Sequence, residues 1–74
     1  MRLSNLSEGC TATVTELAAD SDIRRRLQDI GFVEGVTVRC AFKSPLGDPV
    51  AYMIKGALIA LRNEDSSCIF VKTV

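Results

Sequence analysis

Few side chains in this sequence could carry out chemistry, and their spacing matches no common catalytic site. The chain contains no histidine. This excludes histidine zinc sites and the hydrolase triads and dyads that use an imidazole base. The three cysteines, Cys10, Cys40 and Cys68, are separated by 30 and 28 residues, so they form neither a CxxC zinc motif nor an even disulfide framework. Each lies among alternating apolar residues, and we expect three small buried side chains with reduced thiols.

The carboxylates form two close pairs, Asp20 with Asp22 and Glu64 with Asp65. Both pairs lie at predicted helix starts or turns, where capping of backbone N–H groups explains them better than general acid and base catalysis. Asp48 lies in a loop rich in Gly and Pro and is expected to hydrogen-bond the turn backbone. No glycine-rich phosphate motif occurs, and nothing in the spacing of the Cys, Asp and Glu residues makes several metal ligands converge. With no catalytic constellation either, the sequence predicts no enzyme, no cofactor site and no metal site.

The only charge cluster is Arg24-Arg25-Arg26. On a helix, Asp22 with Arg26 and Arg25 with Asp29 are i,i+4 pairs, each worth about 0.2–0.5 kcal/mol. The cluster is therefore interpreted mainly as a solvated face. Within the helix, Arg24 has no acidic neighbour at this spacing, and it is the arginine that we expect to contact something external.

The composition narrows the class of partner. Nine Lys and Arg residues balance nine Asp and Glu residues, and this zero net charge argues against nucleic acid, whose partners usually carry a basic surplus. Hydrophobic residues make up 47% of the 74 residues, which predicts one folded domain over residues 1–74. The longest apolar run, Ala57–Leu61, is far shorter than the ~20 residues of a membrane helix. With no signal peptide at the start, we expect a cytoplasmic protein without membrane insertion.

One helix interrupts a series of strands. Ile23, Leu27 and Ile30 have helical spacing, with Asp20 or Ser21 as the N-cap. Gly31 is the predicted left-handed C′ residue, so that Phe32 meets Leu27 in a Schellman ending. Period-two alternation predicts four strands, at residues 10–14, 36–42, 50–54 and 57–62, and residues 68–71 read as a short final strand.

Several details of these strands are open to test. Val36, Val38, Cys40 and Phe42 should share the inward face of one strand. The Ser44–Pro49 loop should contain a type I turn with Pro45 at i+1, and Lys55-Gly56 should form a type I turn with a glycine bulge. The strand at 57–62 is apolar on both faces, which predicts that both are covered. The fold predicted is mainly β: a small, five-stranded, partly open barrel with one short α-helix.

Five segments in this order resemble the FeoA family of ferrous iron transport accessory proteins, and the match runs from about Leu3 to Val71. They are the segments 26–32 (RLQDIGF), 35–38 (GVTV), 45–49 (PLGDP), 54–56 (IKG) together with 59–62 (IALR), and 69–71 (IFV). The resemblance implies an SH3-like barrel that works beside FeoB, the membrane Fe(II) permease with a GTP-binding domain. A similar domain occurs in iron-dependent repressors of the diphtheria toxin repressor type, and the length of this chain leaves no room for a repressor's DNA-binding part.

The resemblance lends no catalytic residues and leaves three hypotheses open. The first is a non-enzymatic module that binds the FeoB transporter and tunes Fe(II) import, with self-association possible. Its expected contact residues lie on the helix and on the Pro-Gly loop: Arg24, Arg25, Leu27, Leu46, Gly47 and Asp48. The alternatives are a small-barrel nucleic-acid binder and an Fe(II) metallochaperone with Cys or carboxylate ligands. Because the barrel cannot bury all its apolar residues, some of them should form an interface.

Overall fold

The computed structural model describes residues 1–74 as five antiparallel strands in one sheet with a short helix beside it. After a 3-10 turn at Leu3–Asn5, the elements are β1 (Thr11–Leu17), α1 (Ser21–Ile30), β2 (Thr37–Lys43), β3 (Val50–Ile54), β4 (Ala57–Leu61), α2 (Asn63–Ser66) and β5 (Ile69–Thr73). The sheet order is β4-β3-β2-β1-β5, and β4 and β5 do not pair with each other. The prediction of a mainly β, partly open five-stranded fold is confirmed. The short segment after β4 forms the single helical turn α2.

The core lies between the concave face of the sheet, α1 and the N-terminal 3-10 turn. Tyr52 of β3 is fully buried at its centre, and its hydroxyl donates to the carbonyl of Leu3 at 3.4 Å. This contact fastens the N-terminal segment to the sheet. The cluster contains fifteen buried residues: Leu3, Leu6, Ala12, Val14, Leu17, Leu27, Phe32, Val38, Cys40, Val50, Tyr52, Ile54, Leu61, Ile69 and Val71.

Helix α1 begins and ends as its sequence predicts. The side chain of Asp20 accepts a hydrogen bond from the N–H of Ile23 at 3.0 Å, which identifies it as the N-cap. At the other end the N–H of Phe32 donates to Leu27 O and the N–H of Gly31 donates to Gln28 O, both at 3.0 Å. These two bonds define the Schellman motif, and Gly31 holds the positive φ of 126°. Leu27 and Phe32 are both fully buried.

A β-bulge in β2 changes the direction of Phe42. Cys40 pairs with Tyr52, but the next pair is Phe42 with Ala51, so one extra residue lies on β2. Strict alternation from Cys40 would have placed Phe42 in the core. Instead Phe42 lies on the outer face and is 53% exposed. The predicted inward position of Phe42 is therefore wrong.

The β3–β4 hairpin also differs from the prediction. Ile54 pairs with Ala57, and both Lys55 (φ 49°) and Gly56 (φ 79°) have positive φ. Two consecutive positive φ values in a two-residue loop define a type I′ turn rather than the predicted type I turn with a bulge. Strand β4 is an edge strand, and Leu58 on its outer face is 51% exposed. The expectation that both faces of β4 are covered is wrong, because no element packs on the outer side.

The opposite edge of the sheet is protected. Met1 and Val71 exchange hydrogen bonds, in which each N–H donates to the other carbonyl at 3.0 and 2.7 Å, and Arg2 forms an isolated bridge with Phe70. The Arg2 guanidinium also lies over the Phe70 ring at 5.7 Å. The N-terminal segment thus occupies the edge of β5, whereas the edge of β4 stays free.

The cysteines differ in burial more than their sequence context suggests. Only Cys40 is buried; Cys68 is intermediate and Cys10 is exposed. Cys10 lies just before β1, at the end of the turn that leads into the strand. The expectation of three buried thiols is correct for Cys40 alone.

Candidate functional site

The large apolar side chain with the greatest exposure, Leu46, lies at the tip of the loop between β2 and β3. The N–H of Gly47 donates to Ser44 O at 2.7 Å, which closes the predicted turn around Pro45. Leu46 occupies the next position of this turn and is 96% exposed. The Asp48-Pro49 peptide bond that follows is cis. The loop therefore presents a leucine to solvent from an ordered turn.

Asp48 and Gly47 fasten this loop to α2. The N–H of Asn63 donates to Oδ1 of Asp48 at 2.9 Å, and Nδ2 of Asn63 donates to the carbonyl of Gly47 at 3.0 Å. Asn63 is the first residue of α2, so the Asp48 carboxylate satisfies a free N–H at a helix start. The sequence predicted a backbone bond from Asp48, but within its own turn rather than to a residue 15 positions away.

A second contact joins α2 to α1. Nη2 of Arg26 lies 3.3 Å from Oδ1 of Asp65. Neither of the predicted pairs, Asp22 with Arg26 and Arg25 with Asp29, forms; Arg26 reaches Asp65 of α2 instead of Asp22. We call the surface made by Arg25, Arg26, Asn63 and the loop 46–48 the loop–helix ridge. The helix and the loop are far apart in the sequence, and α2 connects them in the structure.

The arginines of α1 have three different environments. Arg24 turns back toward the end of β1, where Nη2 donates to the carbonyls of Leu17 and Ala19, both at 3.3 Å. This role is structural, since it satisfies backbone acceptors between β1 and α1. Arg24 is nevertheless exposed, and its expected contact with a partner stays a prediction. Arg25 is exposed and makes no hydrogen bond or ion pair within the chain.

Leu27 does not belong to the surface. Its side chain is fully buried and lies in the Schellman contact. A partner could touch it only if α1 left the sheet. The prediction that Leu27 contacts a partner does not fit the structure, and its role is to hold α1 against the core.

A second apolar surface lies on the outer face of β2, β3 and β4; the sequence predicted apolar residues left unburied but did not show that they gather on this face. Phe42 is 53% exposed, Leu58 51% and Met53 38%. Met53 pairs directly with Leu58, and Phe42 pairs with Ala51 on the same face. We call these residues the outer apolar face. The sequence signal for this face is strand β4, which carries apolar residues on both of its faces. In the structure this pattern belongs to a strand with one uncovered face.

An open, polar cleft of about 470 Å³ lies between α1 and the end of β1. Its charged lining consists of Glu16, Arg24 and Glu34. No group of three or more Cys, Asp or Glu side chains converges as a metal site. No helix in the structure is both long and apolar enough to cross a membrane.

Two groups have perturbed acidity, and neither lies on the ridge. Burial raises the pKa of the Tyr52 phenol, although a hydrogen bond with Ser66 opposes this effect. Burial also raises the pKa of the Cys40 thiol, against the nearby charge of Lys43. Both groups are therefore neutral at pH 7 and stabilise the core.

Comparison with known proteins identifies the family. The family model described as FeoA domain matches residues 1–73. The chain belongs to the FeoA domain family. A fusion protein from Porphyromonas gingivalis, "Fe(2+) transport protein A/Fe(2+) transporter FeoB fusion protein", is 36% identical over 74 residues. The match covers 100% of this chain and 9% of the fusion protein.

Solved FeoA structures share the fold closely. The solution structure of FeoA from Chlorobium tepidum is 38% identical with a TM-score of 0.92, over 100% of this chain and 70% of that chain. The zinc complex of Stenotrophomonas maltophilia FeoA, described as a procaryotic SH3 domain protein, is 33% identical with a TM-score of 0.86, over 97% and 89%. These matches confirm the predicted family and the SH3-like fold. The family links this FeoA chain to ferrous iron transport.

The same fold occurs in a different setting. A manganese-dependent transcriptional repressor in complex with manganese has a TM-score of 0.92, although it is only 22% identical and the match covers 36% of that chain. This likeness concerns the fold alone.

Proposed function

We propose that this FeoA chain is a non-enzymatic cytoplasmic accessory domain that binds a FeoB-type Fe(II) transporter and modulates Fe(II) import. The observation that carries this proposal is the Porphyromonas gingivalis protein, in which FeoA and FeoB are parts of one fusion protein. Fusion places the two parts permanently together, which favours partners whose function needs contact. On the transporter, the surface that this chain contacts includes the cytoplasmic GTP-binding domain.

The loop–helix ridge is the contact surface that we propose for this partner. Leu46 supplies an apolar anchor, and it is almost entirely exposed on a turn that Asp48 and Asn63 hold in place. An anchor on an ordered turn loses little conformational entropy on binding. Arg25 on α1 is exposed and has no hydrogen bond or ion pair inside the chain, and its neighbour Arg26 is joined through α2 to the loop that carries Leu46. Gly47, Asp48 and Arg24 act by positioning the loop and the start of the helix.

Binding to the purified FeoB-type transporter of the same organism tests the proposal. The wild-type chain should bind in detergent or nanodiscs, and Leu46→Asp should weaken the affinity by at least about tenfold, as expected for loss of a central apolar anchor. Val74→Asp is the matched control, since Val74 is 87% exposed but lies at the C-terminus. Both variants should keep the wild-type melting temperature because neither side chain is packed.

Leu58→Asp separates the ridge from the outer apolar face. If Leu58→Asp weakens binding while Leu46→Asp does not, the contact surface is the outer apolar face and the ridge assignment is wrong. If the wild-type chain shows no binding, or if deletion of its gene leaves Fe(II) uptake unchanged, the function itself is refuted. Sedimentation of the chain alone reports any self-association.

Two further binding measurements test the alternative functions. A steeply salt-dependent affinity for RNA would indicate a nucleic-acid binder. Tight Fe(II) binding in anaerobic calorimetry would indicate a metallochaperone. We expect neither, because the net charge is zero and no three potential ligands converge.

A further inference from the structure

Two of the three cysteines lie opposite each other on neighbouring strands. The β1–β2 register pairs Thr11 with Arg39 and Ala12 with Val38. Continued by one residue, this register places Cys10, just before β1, opposite Cys40. The hydrogen bonds confirm this step, since the N–H of Cys40 donates to Cys10 O at 3.0 Å. The sequence spacing of 30 residues gave no indication of this proximity.

A glycine bulge fixes the geometry at this point. Gly9 has a φ of 82°, and its N–H donates to Cys40 O at 2.7 Å, while the N–H of Cys10 donates to Ser7 O at 3.0 Å. Gly9 is thus the extra residue, and Cys10 is the residue opposite Cys40. Directly opposed residues of antiparallel strands have Cα atoms about 4.5–5.5 Å apart. A disulfide needs about 4.4–6.8 Å between the same atoms.

The two thiols also point to the same side of the sheet. Ala12 and Val38 are paired and both fully buried, so they share the inner face. Cys10 and Cys40 lie two residues away along each strand and therefore share that face. Consistently, the Cys10 thiol is one of the groups that contribute to the raised pKa of Cys40, after burial as the main cause.

The difference in exposure assigns an order to the reaction. Cys10 is exposed and Cys40 is fully buried. A small oxidant therefore meets Cys10 first, and Cys40 is the thiol held beneath it. This arrangement of an accessible cysteine beside a resolving cysteine is typical of reversible thiol oxidation.

We propose that Cys10 and Cys40 are a dithiol site that a hydroperoxide converts to an intramolecular disulfide. The Cys10 thiolate attacks one peroxide oxygen, the O–O bond breaks, and the leaving hydroxide takes a proton to give water and a Cys10 sulfenic acid. The Cys40 sulfur then attacks the Cys10 sulfur and displaces hydroxide, which takes the Cys40 proton. Two thiols and one hydrogen peroxide give one disulfide and two waters, so the cysteines are oxidised and the peroxide is reduced.

The bond would fasten the turn before β1 to β2. Glu8 in this turn already accepts a hydrogen bond from the N–H of Lys43 at 2.7 Å. Phe42 of the outer apolar face adjoins Lys43, so the disulfide would restrain the strand that carries it. The inference does not depend on transporter binding, because it concerns only groups within the chain.

Mass spectrometry of the folded chain tests the proposal. After treatment with a modest excess of hydrogen peroxide and alkylation, the intact mass should show loss of two hydrogens and one alkylated cysteine. Tryptic digestion should give the fragment Leu3–Arg24 linked to Cys40–Lys43. Reduction with dithiothreitol should restore three alkylatable thiols. Cys68→Ser is the matched control and should oxidise as wild type does.

Cys10→Ser should abolish the linked fragment. Because Cys10 is exposed, this variant should keep the wild-type fold, which far-ultraviolet circular dichroism checks. The proposal is overturned if the folded chain gives disulfides through Cys68, disulfides between chains, or Cys10 oxidised to sulfinic acid with Cys40 still alkylatable. It is also overturned if the Cys10–Cys40 link forms only when urea is present.

Discussion

The end of α1 allows a test of how backbone geometry contributes to stability. Gly31 has a φ of 126°, a value that L side chains rarely adopt. A Cβ built at this position would lie 3.6 Å from Cδ1 of Ile54, which is an ordinary van der Waals contact. Space is therefore available for a methyl group, and the cost of Gly31→Ala arises from backbone strain alone. Such strain costs about 1–3 kcal/mol.

The expected loss is large for a domain of this size. In domains of 60–100 residues, 1 kcal/mol shifts the melting temperature by about 4–8 °C, so a loss of about 2 kcal/mol lowers it by roughly 8–16 °C. Gly31→Val should lose more, since its β-branch is less tolerant of positive φ and adds bulk toward Ile54. Urea unfolding and thermal melts of both variants measure these losses.

D-alanine at position 31, introduced by chemical ligation, is the control that separates strain from volume. It adds the same methyl group but prefers positive φ, and it restricts the unfolded chain. We expect its stability to equal or exceed that of the glycine chain. A D-alanine chain as unstable as Gly31→Ala, or a wild-type melting temperature for Gly31→Val, would refute the strain argument and with it the energetic role assigned to the Schellman ending.

Three further predictions concern the core and the ridge. Leu27→Ala should lower the free energy of unfolding by about 2–5 kcal/mol in urea titration, and a loss below about 1 kcal/mol would contradict its full burial. Asp48→Ala should cost about 0.5–1.5 kcal/mol and speed hydrogen exchange at the Asn63 amide, whereas unchanged exchange would show that Asp48 does not hold the loop. Burial raises the pKa of the Tyr52 phenol above its ordinary value of 10.0, so the folded chain holds this proton at a pH where the unfolded chain has lost it. The free energy of unfolding should therefore keep the full contribution of Tyr52 below pH 10 and lose it as the pH rises further. Tyr52→Phe should show a shallower alkaline loss in the same titration, and an identical slope would exclude Tyr52 as a source.

Local patterns predicted most of the fold. The helix ends followed from Asp20 and Gly31, because capping depends on residues adjacent in sequence. The inward residues of β3, such as Tyr52, followed from period two. The errors arose where a tertiary feature intervened. Alternation cannot reveal the bulge that turns Phe42 outward, and it cannot tell an uncovered edge strand such as β4 from a covered central one.

The ridge was predictable only in its parts. Leu46 was recognisable as an apolar residue in a Pro-Gly turn, and Arg25 as part of a basic helix face. Their connection depends on Asn63 and Asp65, which reach residues 15 and 39 positions away. Side-chain contacts over such separations leave no periodic signal in one sequence. The local ion pair of Asp22 with Arg26 failed for the same reason, because Arg26 binds the distant Asp65.

The two edges of the sheet show why a small neutral domain can depend on a partner. The chain uses its N-terminal segment to cover β5, where Met1 and Val71 exchange hydrogen bonds. Nothing comparable covers β4, and the residues around it leave the outer apolar face exposed. Because exposed edges and apolar patches favour association, retaining both suggests contact rather than isolation. Zero net charge provides no long-range selectivity, so specificity must come from shape and apolar contact. This requirement fits an ordered anchor such as Leu46 better than a basic, phosphate-binding surface.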